Sequence, residues 1–350
     1  MNTFPNVFPV PGREFIRGLP GGLTSRPATM ADVEAAVALA NACSIEQIGK
    51  PKSSLDQFRT DWQSPYLHPE TDLRVVFAPD ARLVGYAGVW DTEPHVQMFG
   101  WGHVHPEYKG QGIGTYLAHW VEGRARQSIP RAPSGTRVVL RQEVLSTDQA
   151  AQQLLLAQGY QLVRHGLRMV IEMDGPPPEP AVPDGLVIRP FLRGREERDT
   201  ILAVQEEFRD HWGYVERPFE QEYEEWMYEF ENDPDFDPSL WFVALDGDQI
   251  AGTAFCFAKM AEDPEMGWLF GLGVRRPWRR RGLALALLHH CFGELYRRGR
   301  RGVSLGVDAQ NLTGATCLYE RAGMHVQRQH HQYEQELRPG RDLSIQSLEG

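Results

Sequence analysis

The chain has 350 residues, of which 41% are hydrophobic and 24% charged, and carries a formal net charge of −11. That length suits two domains of ordinary size, and no apolar run approaches the roughly 18–20 residues of a membrane helix. The acidic balance argues against nucleic acid or an anionic membrane as a partner and admits a cationic amine, while four widely spaced cysteines, Cys43, Cys256, Cys291 and Cys317, fit reduced thiols in a cytoplasmic protein without a zinc or other metal site.

Residues 1–22 are rich in Pro and Gly and lack a basic start followed by an apolar run. They read as an extended arm, not as a secretory signal. A short strand at 23–27 ends on Arg26-Pro27 and leads into a helical pattern at 31–42. Two β-rich runs at 73–78 and 83–89 flank Pro79-Asp80-Ala81-Arg82 as a hairpin. A strand at 97–104 then enters a glycine-bearing turn, Lys109-Gly110-Gln111-Gly112-Ile113-Gly114, and a helix follows. A strand, a helix ending at Gly159 and a last strand close this half.

Residues 174–185 hold five prolines and two glycines in twelve positions, which neither a helix nor a central strand tolerates. Beyond this linker the order repeats. A strand ends on Arg189-Pro190, a helical pattern covers 196–208, and runs at 241–245 and 249–257 flank Asp246-Gly247-Asp248, a strong hairpin signal. A strand at 267–274 enters a second glycine turn. Arg26 and Arg189 stand 163 residues apart, Gly112 and Gly282 stand 170 apart, and Gly159 and Gly323 stand 164 apart. One duplicated domain explains so constant an offset. The expected layout is an arm at 1–22, a first domain at 23–174, a linker at 175–185, a second domain at 186–338 and a tail at 339–350. The fold class is α/β, each domain a mixed, mostly antiparallel sheet flanked by helices.

The second turn reads Val274-Arg275-Arg276-Pro277-Trp278-Arg279-Arg280-Arg281-Gly282-Leu283-Ala284. A strand delivers the chain to a helix whose first N–H groups lack internal partners, and those amides together with the helix dipole favour an anion. Gly282 and Ala284 let the backbone approach a pyrophosphate, and Arg279, Arg280 and Arg281 add positive charge. There is neither a GxxxxGK[ST] loop nor a GxGxxG after a first strand.

The spacing Arg279-x-x-Gly282-x-Ala284 resembles the Q/R-x-x-G-x-G/A motif of the GNAT superfamily of acyl-CoA N-acyltransferases. Lys109 to Gly114 resembles it in the first half, after Val104-His105-Pro106, with Lys109 where that family has Gln or Arg. Asn311-Leu312-Thr313-Gly314-Ala315-Thr316-Cys317-Leu318-Tyr319 resembles the family's N-x-x-A-x-x-L-Y block. The resemblance implies two tandem GNAT-like domains, in a layout similar to that of mycothiol synthases, with acetyl-CoA as acyl donor. It implies cofactor contacts at Leu272, Gly273, Val274, Arg279, Arg280, Arg281, Gly282, Leu283, Ala284 and Asn311. In the first half it implies the same for Val104, Gly110, Gln111, Gly112, Ile113 and Gly114. It further implies that Tyr319 protonates the leaving thiolate. As a residue alone, Tyr319 also fits the buried face of an amphipathic helix. At the matching places the first half has Thr147 and Leu155, and leucine donates no proton, so chemistry is expected in the second domain.

For the base that frees the amine, the nearest acid to the strand before the turn is Glu265, which reads equally as a solvated loop residue. The aromatic and acidic stretch holding Asp210, His211, Trp212, Tyr214 and Trp226 is the expected acceptor wall, or otherwise an amphipathic helix with core aromatics. The leading reading is acetyl transfer to a small-molecule amine by direct attack in a ternary complex. The alternative is an acyl-CoA sensor without turnover. The oligomeric state is open.

Overall fold

A computed structural model of the chain describes residue 19 and residues 21–347; the expected arm at 1–22 lies almost wholly outside the described residues. The described chain divides into two compact units.

The first unit is built from β1 (Thr24–Pro27), α1 (Val33–Ile48), α2 (Leu55–Gln63), α3 (Pro69–Asp72), β2 (Leu73–Phe77), β3 (Leu83–Asp91), β4 (Gln97–Val104), α4 (Ile113–Ser128), β5 (Val138–Leu145) and α5 (Gln149–Ala157). Its strands run in the order β1-β2-β3-β4-β5, antiparallel except where β4 and β5 lie parallel.

The second unit takes β6 (Gln161–Glu172) from residue 164 onward. It continues with β7 (Leu186–Pro190), α6 (Glu197–Phe208), α7 (Phe219–Asn232), β8 (Trp241–Asp246), β9 (Gln249–Phe257), β10 (Met266–Val274), α8 (Leu283–Arg297), β11 (Gly302–Asp308) and α9 (Ala315–Arg321). Its order is β6-β11-β10-β9-β8-β7, with β10 and β11 the parallel pair. Strand β12 (His325–Arg338) gives its part from His331 onward to the first unit, beside β5.

The units therefore depart from the boundaries expected at 174 and 186. The last strand of each repeat contributes to the other repeat's sheet. Strand β6 makes a seven-residue antiparallel ladder with β11, from Gly302↔Glu172 to Asp308↔Gly166. An unpaired edge strand is satisfied by any partner of matching pattern, so hydrogen bonding, not chain order, decides where it lies. Residues 173–185 carry neither helix nor strand, as the proline run dictates.

Periodicity explains the elements of the second unit. Strands β8 and β9 are apolar on both faces because helices cover them, and Trp241 stacks on Phe255 with ring centroids 4.3 Å apart. Gly247 turns this hairpin at φ 58°. Helix α8 buries Leu283, Leu287, Cys291 and Leu295, one residue per turn, against the sheet.

Candidate active site

Four segments of the second unit surround one cavity of about 940 Å³: the end of α6, the second half of β10, the turn into α8, and the loop from β11 into α9. That volume suits a large organic ligand. Strand β10 pairs with β11 only from Met266↔Gly302 to Leu269↔Leu305. On its other side it stays paired with β9 as far as Val274↔Gly252, with a bulge between Leu269 and Gly271. The strands part where the bulge re-aims the chain. Leu272, Gly273 and Val274 then present a strand edge to the cavity, the kind of surface that an extended, amide-bearing chain pairs with.

The turn into α8 meets the expected geometry. Gly282 caps the helix at φ 87°, and Arg280 is left-handed at φ 62°, a conformation costly for a residue with a Cβ. The first unit places glycines at both positions, Gly112 at φ 82° and Gly110 at φ 75°. Arg279, Arg280, Gly282, Leu283 and Ala284 line the cavity, whereas Arg281 is exposed and outside its lining. Braces from α6 hold the turn. Arg275 Nε donates to Glu206 Oε2 at 2.6 Å, Arg276 Nε donates to Asp210 Oδ2 at 3.0 Å, and Arg279 pairs with the same carboxylate. Arg279 Nε also donates to the Val274 carbonyl at 2.8 Å. Its hydrogen bond from Arg276, with Arg279 beside it, holds the Asp210 carboxyl down to about 2. Arg280 and Arg281 make no ion pair among the described residues.

Asn311 and Tyr319 both reach the cavity wall. Asn311 Oδ1 accepts from Thr313 N at 2.8 Å and Ala315 N at 3.2 Å, which shapes the loop that starts α9. Burial pushes the Tyr319 phenol up to about 12, so it stays protonated at any ordinary pH.

The remaining expected residues separate. His211 and Trp212 line the cavity, and His211 packs edge-on against Phe208 with centroids 4.6 Å apart. Burial, with Arg279 nearby, lowers the His211 imidazole below its usual range. Asp210 lies outside the cavity lining and pairs with Arg276 and Arg279 on the turn into α8. Trp226 sits behind the wall, edge-on to Trp241 at 5.5 Å and to Phe270 at 6.1 Å, while Phe270 itself lines the cavity. Tyr214 lies outside the cavity lining and bonds through its backbone to Ile345. Glu265 lies on the exposed turn before β10, paired with Arg301 at 3.2 Å, and is not brought to the cavity.

Sequence reasoning missed one carboxylate that is there. Glu207, near the end of α6, is 3% exposed and lines the cavity. Its Oε2 accepts from the Thr253 hydroxyl at 2.5 Å, and its Oε1 is buried with no hydrogen-bond partner. A Cβ built on Gly273 would collide with this carboxylate, so β10 carries glycine where α6 inserts it. A helical Glu-Glu pair reads as a solvated face, and only the distant Gly273 signals otherwise.

The first unit differs at the matching places. Strand β4 pairs with β3 without a bulge, from Gly85↔Val104 to Asp91↔Met98. Counting back from Val104 and Val274, Trp101 and His103 stand where β10 has Gly271 and Gly273. The half-buried His103 stacks on Tyr86 at 6.1 Å and 13°, and Tyr86 also meets Trp101 and Trp62. That burial lowers the His103 imidazole to about 4. Leu154 of α5 packs on Gly114, Lys109 is paired with Glu46, and Leu155 is buried on α5.

The model of the acetyltransferase (GNAT) family matches this chain twice, at residues 39–160 and 201–324. The chain belongs to the GNAT acetyltransferase family. A mycothiol acetyltransferase of Streptomyces scabiei (strain 87.22) is 30% identical over 245 residues, which cover 69% of this chain and 72% of that protein. One of Streptomyces bingchenggensis (strain BCW-1) is 31% identical over 250 residues, covering 70% and 75%. The solved structure of a GCN5-related N-acetyltransferase from Sphaerobacter thermophilus is 37% identical with a TM-score of 0.77, covering 93% of this chain and 99% of that one. A tandem GNAT protein from the clavulanic acid biosynthesis pathway shares the fold at 16% identity and a TM-score of 0.68, covering 91% and 99%.

This GNAT protein is thus an acyl-CoA N-acetyltransferase that uses acetyl-CoA. The second-unit cavity fits that donor. It offers a helix N-terminus with a left-handed approach for the pyrophosphate, and a parted strand for the amide-bearing arm. When bound, acetyl-CoA supplies an acetyl group activated as a thioester.

Proposed function

We propose that the chain transfers the acetyl group of acetyl-CoA to a small-molecule amine by direct attack in a ternary complex, with the chemistry in the second unit. One observation carries the reading: the N-terminus of α8, the parted edge of β10 and the Tyr319 phenol share a single cavity. In this account the amides after Arg280 hold the pyrophosphate, β10 orients the arm through Leu272 to Val274, and Tyr319 gives its proton to the departing thiolate. Phe208, His211, Trp212 and Phe270 form an aromatic wall for the acceptor. The mycothiol acetyltransferase relatives favour a small-molecule acceptor over a protein. No described helix is long and apolar enough to cross a membrane.

The aromatic filling at Trp101 and His103 and the loss of tyrosine at Leu155 support a non-catalytic first unit. A CoA-release screen across amine classes tests the proposal. The Tyr319→Phe variant is expected to lose about 100-fold in kcat with little change in the KM for acetyl-CoA; near-normal kcat would sink the role. Cys317 lines the cavity, so a covalent acetyl-cysteine is the specific competitor. Intersecting initial-rate patterns and unmodified Cys317 are expected, and an isolated acetyl-Cys317 would overturn direct attack.

A further inference from the structure

Acetylation of an amine releases a proton that a group in the cavity must take. Glu265, the carboxylate nearest in sequence, is exposed and turned to Arg301. Asp210 is consumed by Arg276 and Arg279. Asp308 lines the cavity and pairs with Arg164 at 3.7 Å. Glu207 is different: its side chain belongs to the cavity lining yet is almost fully buried, one oxygen is fixed by Thr253, and the other has no hydrogen-bond partner. An orphaned buried oxygen costs about 1–3 kcal/mol, and on a side chain of the cavity lining a ligand can complete it.

Resting on the acetyl-transfer reading above, we propose that Glu207 is the catalytic base of the second unit, its free Oε1 accepting the proton of the attacking amine. The balance is simple. The amine nitrogen bonds to the thioester carbonyl carbon, and the C–S bond breaks. One N–H proton passes to Glu207, and the thiolate takes a proton from Tyr319. Protons then return through solvent. Glu207 comes to lie against β10 because Gly273, which follows Leu272 just past the bulge, has no Cβ. Every neighbouring element adds a constraint. Thr253 on β9 donates to the carboxylate, Arg275 and Arg279 of the phosphate turn favour its charge, and His211 beyond α6 and Tyr319 on α9 share the cavity. Burial outweighs these and pushes the carboxyl up to about 8, which makes it a strong base once ionised.

The test follows CoA release from acetyl-CoA by the full chain in excess, between pH 6 and 9.5, with either phenethylamine or water as acceptor. With water, wild type is expected to rise about tenfold per pH unit and level off near pH 8, the limb that Glu207 sets; with phenethylamine, which titrates near the lysine range of about 10, the amine's own limb adds to it in every variant. Glu207→Gln should lose about 100-fold and the pH-dependent limb, while binding acetyl-CoA within about threefold of wild type. Glu207→Asp should recover part of the rate. Thr253→Val removes the donor to the ionised carboxylate, so its limb should move to higher pH, a shift that mere loosening of the fold would not give. Glu207→Gln with an unchanged limb and near-normal rate would overturn the proposal while leaving acetyl transfer standing. Acetyl-CoA that binds without any release by wild type above the enzyme-free rate would overturn both.

Discussion

At the scale of residues, Glu207 and Gly273 define each other. The carboxylate occupies the space a side chain at 273 would need. Gly273→Ala is therefore expected to cost about 1–3 kcal/mol through overpacking and to lower kcat by displacing the carboxylate; thermal melting and steady-state assay check both parts. Burial also sets a pH signature. The Glu207 carboxyl moves from an ordinary 4.5 to about 8 on folding. Between those values the folded chain holds a proton that the unfolded chain has released, so this residue's contribution to stability falls as pH rises and levels off above about 8. Glu207→Gln is consequently expected to gain in Tm relative to wild type as pH goes from 5 to 8.5. A constant difference across that range would contradict the shift. Tyr319, pushed up to about 12, contributes nothing to either limb in this range.

At the scale of elements, the site depends on α6 bracing the turn into α8. Asp210 draws Arg276 and Arg279 together, and Glu206 holds Arg275. Solvent screens the exposed partners Arg276 and Glu206, so each of these bonds is worth about 1 kcal/mol. Asp210→Asn should loosen the turn and raise the KM for acetyl-CoA about tenfold, with a smaller effect on kcat. Because the Asp210 carboxyl is held at about 2, the brace stays ionised through the assay range, and KM for acetyl-CoA should show no acid limb from this pair between pH 5 and 8. A KM unchanged in the variant would show that the backbone of the turn holds its shape alone. Arg280 is held in a left-handed conformation that the first unit gives to Gly110, which is consistent with a guanidinium kept at the cavity for its charge.

At the scale of the whole molecule, two copies of one fold have diverged in what fills the groove. On β10 the Glu207 carboxylate of α6 takes the space beside Gly273, whereas on β4 Trp101 and His103 stand at the places of Gly271 and Gly273, beside Tyr86. The duplication, the hairpin at Gly247, the turn at Gly282 and the block around Asn311 and Tyr319 were legible because each is set by residues close in sequence. The allocation of β6 and β12 was not, since a strand's pattern names the face it buries and not the sheet it joins. Glu207 stayed hidden because its meaning depends on Gly273 and Thr253, dozens of residues away. The charge of Asp210 suggests an acceptor contact, and nothing near it in sequence shows that two arginines claim it.

The proposed function requires one acetyl-CoA site, in the second unit. Titration calorimetry with acetyl-CoA tests this most directly. One equivalent per chain is expected, abolished or weakened about 100-fold by Arg280→Glu, which reverses a charge at the helix N-terminus, and unchanged by Lys109→Glu in the first unit. Two equivalents, or binding that Lys109→Glu removes and Arg280→Glu spares, would contradict it.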